Sequence, residues 1–158
     1  VAGNRLDDAI AGYVRRKYNL MIGDDTAERV KIAVGSAMPL DEALSIEVRG
    51  RDQVAGMPRT IEINCDEVTE AIAEELANIA ATAKAVLEKT PPELVSDIID
   101  RGMVMTGGGS LLRNMDRFLT EETGIPCHLA EDPMLCTALG AERGLHHLSL
   151  LQRALETT

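Results

Sequence analysis

Aromatic side chains are nearly missing from this sequence, with no Trp, two Tyr and one Phe in 158 residues. Aliphatic residues and Ala must therefore supply the core that one or two small domains of this length can bury. Cysteine is scarce and odd in number. Cys65, Cys127 and Cys136 follow no Cys-x-x-Cys spacing, which supports neither a disulfide framework nor a zinc ribbon and fits a reducing cytoplasm. Cys127, His128, Cys136, His146 and His147 crowd together in sequence, but without metal-ligand spacing, and His146 and His147 read as an exposed or half-buried helix turn. No apolar run approaches the roughly 18 residues that a membrane span needs, and the opening residues do not read as a secretory leader. Positive charge is also short. With 16 Lys and Arg against 26 Asp and Glu the net charge is -10, which argues against nucleic acid or anionic lipid as a general partner, because neutralising phosphates takes clustered cations. The one basic cluster, Arg15-Arg16-Lys17, is expected to be a solvated helix face.

Glycine, by contrast, is concentrated where it matters. The run from Gly102 to Asp116 reads as a buried strand, a side-chain-free turn at Gly107-Gly108-Gly109, and a helix N-terminus. Consecutive glycines permit positive φ and let backbone N–H groups and the positive end of a helix dipole face an anion or a ribose. A merely flexible strand-to-helix turn fits the run equally well. Two phosphate motifs are weakened or excluded. A dinucleotide fingerprint counted from Gly107 places Leu112 at its last glycine, where a side chain would hold the helix off the strand. A Walker loop needs Gly-Lys-Ser/Thr, and no Lys follows Lys89.

The rest of the chain reads as a helix-rich α/β fold. Leu6, Ile10, Tyr13 and Val14 predict an amphipathic helix over about 5 to 19. A second helix begins near Asp25 and stops at Gly35, with Asp25 and Glu28 resembling a capping box. Alternation at Leu44, Ile46 and Val48, and again at Ile61 and Ile63, predicts a hairpin with a long loop from about 50 to 58. The stripe Val68, Ile72, Leu76, Ile79, Ala83, Val86 and Leu87 predicts the longest helix, stopped by Pro91-Pro92, and a short helix follows to about Ile99. A helix carrying Leu111, Leu112, Met115, Phe118 and Leu119, then a strand near 127 to 130, completes a βαβ unit. Ala138, Gly140, Ala141 and Gly144 suggest a final helix with a small, tightly packed face. Two parallel strands make an incomplete sheet, so an exposed edge is expected.

The segments "VAGNRLDDAI", "YNLMIGDDTAERVK", "IEVRGRD", "MPRTIEI", "TPPELVSDIIDRGMVMTGGGSLLRNMD" and "AEDPMLCTALG" together resemble, in order, the C-terminal half of the MreB/Mbl family of bacterial actin homologues. The resemblance covers essentially the whole chain. It implies an actin-like (ribonuclease H-like) ATPase domain fragment: part of the large nucleotide-binding subdomain at 1–19 and 65–158, with a small helix-hairpin insertion subdomain at 20–64. It further implies ATP/ADP with Mg2+ as cofactor, with Gly107, Gly108, Gly109 and Ser110 near the adenosine and α-phosphate. Glu28 and Lys31, with Arg29 between them, would frame adenine and ribose, and Gly3 would lie in a turn near the phosphates. Many members have Asp where this sequence has Asn4, so no role is assigned there. The phosphate loops and Mg2+ ligands of the family fall in its N-terminal half, so no catalytic or metal-binding residue is assigned in this chain.

The implied partners are other copies in a filament, the N-terminal half, the cell-wall elongation machinery, and the membrane only through segments of that other half. No nucleic acid is implied. The implied location is cytoplasmic, at the inner face of the cell membrane, where the whole protein would guide wall synthesis and rod shape. A sugar or acetate kinase of the same superfamily is the alternative, and a nucleotide-independent interaction module is another.

Overall fold

The computed structural model describes residues 3–147. Val1 and Ala2, which open the family-like "VAGN" segment, lie outside the described residues.

Helix α1 (Gly3–Tyr18) buries Leu6, Ile10 and Val14 of the predicted stripe, whereas Tyr13 is only half-buried. That stripe meets Ala27, Val30 and Val34 of α2 (Asp24–Val34) and Val68, Ile72 and Leu76 of α3 (Cys65–Lys89) in one hydrophobic core. Strands β1 (Leu20–Met21), β2 (Ser45–Asp52) and β3 (Pro58–Asn64) form an antiparallel sheet in that order. Val48 and Ile63 point into the core while Glu47, Arg49 and Glu62 face water, as the period-two pattern requires. The hairpin is longer and its turn shorter than predicted. β2 and β3 stay paired to Arg51↔Pro58, because Asp52 closes the turn by accepting the Val54 and Ala55 amides at 2.8 and 2.9 Å and pairing with Arg59 at 2.8 Å.

The capping box is not at Asp25 and Glu28. Helix α2 starts one residue earlier, on Gly23 with no side-chain cap, so Asp25 lies inside the first turn. The box is at α3, where Asn64 accepts the Glu67 amide at 2.9 Å and Glu67 accepts the Asn64 amide at 2.9 Å. Glu67 also binds Lys17 at 2.7 Å and the Tyr18 hydroxyl at 2.5 Å. The end of α1 is thus pinned to the start of α3. Arg15 and Arg16 of the basic cluster are exposed.

Burial alone would raise the Glu67 carboxyl, but its bonds to Lys17, Tyr18 and the Asn64 amide outweigh that and leave it below the usual carboxylate range. The Ala55 and Val54 amides likewise hold Asp52 low, with a smaller contribution from Arg59. A depressed folded pKa means stability that is present above the ordinary carboxylate pKa and is lost as pH falls through the folded value. Urea melts should therefore show a midpoint that holds from pH 7 to 5 and drops below about pH 4. In Glu67→Gln that acid-dependent drop should be smaller.

Beyond α3 the packing thins. Ile79, Ala83 and Leu87 of the predicted stripe are only half-buried, and Val86 is 60% exposed. Helix α4 (Pro92–Arg101) leads to β4 (Met103–Met105), which pairs in parallel with β5 (Cys127–Leu129) across α5 (Met115–Thr123). The predicted βαβ unit is present. Val104 and Leu129 on this two-stranded sheet are 66% and 46% exposed. Helix α6 (Cys136–His146) corrects an expectation, since Ala138, Gly140 and Ala141 are exposed and a Cβ at Gly140 would meet nothing within 4 Å.

Gly102 makes the approach to β4 possible. Its φ is +79°, and a Cβ there would lie 2.6 Å from the Pro126 carbonyl oxygen, whose bond to the Met103 amide (2.8 Å) opens the β4–β5 ladder. Gly102→Ala should cost about 2 kcal/mol in urea unfolding, combining left-handed strain with a backbone clash.

Candidate functional site

Gly3, Lys31 and an unforeseen residue, Asp7, meet where α1 crosses α2. The Lys31 ammonium lies 2.9 and 3.0 Å from the two carboxylate oxygens of Asp7 and 3.5 Å from the Gly3 carbonyl oxygen. Both side chains are largely buried, at 14% and 12% exposure. Glu28, one helical turn before Lys31, is exposed, as is Arg29. Neither makes a side-chain hydrogen bond or ion pair among the described residues.

The glycine turn differs from the expected helix N-terminus. After β4, Gly107 adopts φ +81° and its amide is held by the Pro133 carbonyl at 2.8 Å. A 3₁₀ turn follows over Gly108–Leu111, and α5 begins only at Met115, after Asn114 in the left-handed region at φ 58°. The dipole of α5 therefore does not start at the glycines. Ser110 is turned inward and donates its hydroxyl to the Gly107 carbonyl at 2.6 Å. Gly108 and Gly109 are exposed, and a Cβ at either would meet nothing within 4 Å. These two glycines leave a side-chain-free, open surface.

A tight set of bonds joins this turn to α2. Ala37 donates its amide to the Arg113 carbonyl at 2.8 Å, and Ser36 and Arg113 form a parallel β-bridge. The Arg113 guanidinium bonds the Ile32 and Gly35 carbonyl oxygens at 3.2 and 3.3 Å, which caps the end of α2. Asn114 donates its side-chain amide to the fully buried Ser36 hydroxyl at 3.1 Å, and Thr69 of α3 bonds the Ser36 carbonyl at 3.1 Å. Leu112, the residue that argued against a dinucleotide fingerprint, packs against Gly35, where an added Cβ would stand 3.1 Å from it.

The structure thus fastens the glycine turn and the Glu28–Lys31 helix into one unit. It does so through Ser36, Arg113 and Asn114, which sequence reasoning did not single out. No hydrogen bond or ion pair among the described residues runs directly from Glu28, Arg29 or Lys31 to Gly107–Ser110. A groove of about 220 Å³ lies elsewhere, between α3 and α5, and includes none of the candidate residues. Among the described residues no group of three or more His, Cys, Asp or Glu is placed to hold a metal ion, and no helix is long and apolar enough to cross a membrane.

A three-stranded hairpin sheet beneath α1, α2 and α3, followed by strand, glycine turn, helix and parallel strand, defines an actin-like α/β fold. The crystal structure of MreB 5 of Spiroplasma citri bound to AMPPNP matches it with a TM-score of 0.90 at 34% identity, over 98% of this chain and 46% of that one. The chain belongs to the MreB/Mbl family: the family model described as MreB/Mbl protein matches residues 1–153. It is 51% identical over 150 residues to the cell shape-determining protein MreB of Escherichia coli K12, covering 95% of this chain and 43% of that protein. It is 48% identical over 156 residues to the cell shape-determining protein Mbl of Bacillus cereus, covering 98% of this chain and 47% of that protein. The chain therefore spans about half the length of these relatives. Membership in this family sets the kinase alternative aside.

Proposed function

We propose that this chain forms the adenosine-side wall of a nucleotide site in an actin-like protein that polymerises with other copies of itself at the inner face of the cell membrane and guides wall synthesis and rod shape. One observation carries the reading. An open, side-chain-free surface at Gly108 and Gly109 is locked by Ser36, Arg113 and Asn114 to the helix that bears Glu28 and Lys31. Glycines that meet nothing in their own chain leave space for a flat base and ribose, and a lysine with a glutamate one turn away suits a ribose diol. Gly107 sets the direction of the turn, Ser110 stiffens it, and the Gly3 carbonyl oxygen lies 3.5 Å from the ammonium. Exposed Arg29 adds positive charge beside them.

The AMPPNP-bound Spiroplasma relative and the names of the cell shape-determining relatives support the reading. The residues present fit the adenosine side of ATP or ADP. They do not fit Mg2+, whose ligands in this proposal fall in the part of the relatives' length that the chain does not span. That part would also supply the catalytic residues, so this chain binds and orients without activating water.

The test is a circular-dichroism thermal melt with and without millimolar Mg-ATP. It is run on the chain alone and on the chain mixed with the complementary N-terminal part of the Escherichia coli relative. Ligand that binds only the folded state raises stability by about 2.7 kcal/mol at a hundredfold excess over Kd. A raised midpoint in either preparation is expected. Melts blind to nucleotide in both would overturn the proposal.

A further inference from the structure

We infer that Asp7 is a positioning residue of the nucleotide site, which holds the Lys31 ammonium in place to bond a ribose hydroxyl. The inference rests on the reading above and deepens it, adding a residue from α1 to a wall otherwise built from α2 and the glycine turn.

Asp7 stands where an apolar residue belongs. It lies three residues before Ile10 and seven before Val14, on the face of α1 that packs into the core. A carboxylate is tolerated there only with a partner, and an apolar residue of similar volume would stabilise the fold at least as well. The pairing is also incomplete as a stabilising device. Oδ2 accepts a hydrogen bond from Lys31 at 3.0 Å, whereas buried Oδ1, although 2.9 Å from the same nitrogen, has no well-directed hydrogen bond. Such a leftover in a core calls for a role other than stability.

The geometry around Lys31 supplies that role. A lysine side chain ordinarily sweeps a wide volume, but this ammonium is clamped between Asp7 and the Gly3 carbonyl. Of its three N–H donors, one goes to Asp7 and one points towards Gly3, which leaves one for a ligand. A methyl group at Gly3 would stand 3.4 Å from that nitrogen, in ordinary contact. An ammonium held in this way does not have to be ordered when the ligand arrives.

The test compares the affinities of ATP, 2′-deoxy-ATP and 3′-deoxy-ATP, measured by equilibrium dialysis in whichever preparation binds nucleotide. Asp7→Asn should lose about tenfold for ATP, the scale of one hydrogen bond to a charged group. The loss should disappear for the deoxy analogue that lacks the hydroxyl Lys31 reaches. In a Lys31→Ala background, Asp7→Asn should cost nothing further, because the two act as a pair. Should Asp7→Asn not fold, Asp7→Glu keeps the charge but shifts the ammonium, and it should show the same hydroxyl-dependent loss. An equal loss for ATP and both analogues would mean that Asp7 is merely structural and would overturn the inference, as would unchanged ATP affinity. Absence of binding by the unmutated protein would instead overturn the proposed function, and this inference with it.

Discussion

Lys31→Ala is expected to lower the free energy of unfolding by about 3 kcal/mol, a large effect for the loss of a single lysine. The reason is the partner it leaves behind. With the ammonium gone, the Asp7 carboxylate, 12% exposed and with Oδ1 buried, is left on the buried face of α1 with no cation paired to it among the described residues. An unpaired buried charge costs more than the pair contributed. Asp7→Asn placed on top of Lys31→Ala should therefore recover part of the loss, although it removes yet another polar group. Urea unfolding of the two single variants and the double variant measures this directly. A Lys31→Ala variant within about 0.5 kcal/mol of the parent would show that water reaches the carboxylate and that the pair is a surface contact.

Gly108→Asp should have the opposite profile, with intact stability and lost binding. A Cβ at Gly108 meets nothing within 4 Å and the residue does not have left-handed φ, so the unfolding midpoint should move by no more than about 0.5 kcal/mol. The new carboxylate would stand in the open space assigned to the nucleotide and repel its phosphates. A loss of affinity on the order of a hundredfold is expected in a fluorescent-ATP titration. Gly107→Ala is the contrasting control, because φ +81° makes it lose about 1 kcal/mol of stability as well. If Gly108→Asp bound nucleotide like the parent, the glycine turn would not line the nucleotide site; partner binding that is independent of nucleotide and unchanged in Gly108→Asp would instead favour the interaction-module alternative.

The elements that were legible in the sequence are those whose burial is periodic. Helices α1, α2 and α3 and the β2–β3 hairpin each bury one stripe or one face, and Leu6, Ile10, Val30, Val48, Ile63 and Ile72 occupy the positions that periodicity assigned. What was not legible depended on single residues or on tertiary contact. Strand β1 is two residues long, too short for any period, and exists because Leu20 and Met21 pair with Asp52 and Arg51. The pattern of a capping residue followed three positions later by Glu occurs at Asp25 and at Asn64, and only the exact start of each helix decides between them. In α6 small residues suggested close packing, but small size permits contact without causing it. At the glycine turn, Leu111 and Leu112 continue the apolar spacing of α5 backwards and hide the 3₁₀ turn over Gly108–Leu111, which left-handed Asn114 separates from α5.

The candidate site was half legible for the same reason. The glycine run and the Glu28–Lys31 spacing are local. Asp7 is 24 residues from Lys31, and Ser36 is 78 from Asn114, so their pairing is a property of the fold. One signal was available for Asp7: a carboxylate on the apolar stripe of an amphipathic helix needs a partner.

Amide hydrogen exchange of the protein with and without saturating Mg-ADP tests the central claim most directly, because it reads the glycine turn and α2 in one experiment. The account predicts slower exchange in peptides spanning 106–112 and 24–37 together, with the hairpin turn at 53–57 unchanged. Protection confined to the α3–α5 groove, or protection of α2 without the glycine turn, would contradict it.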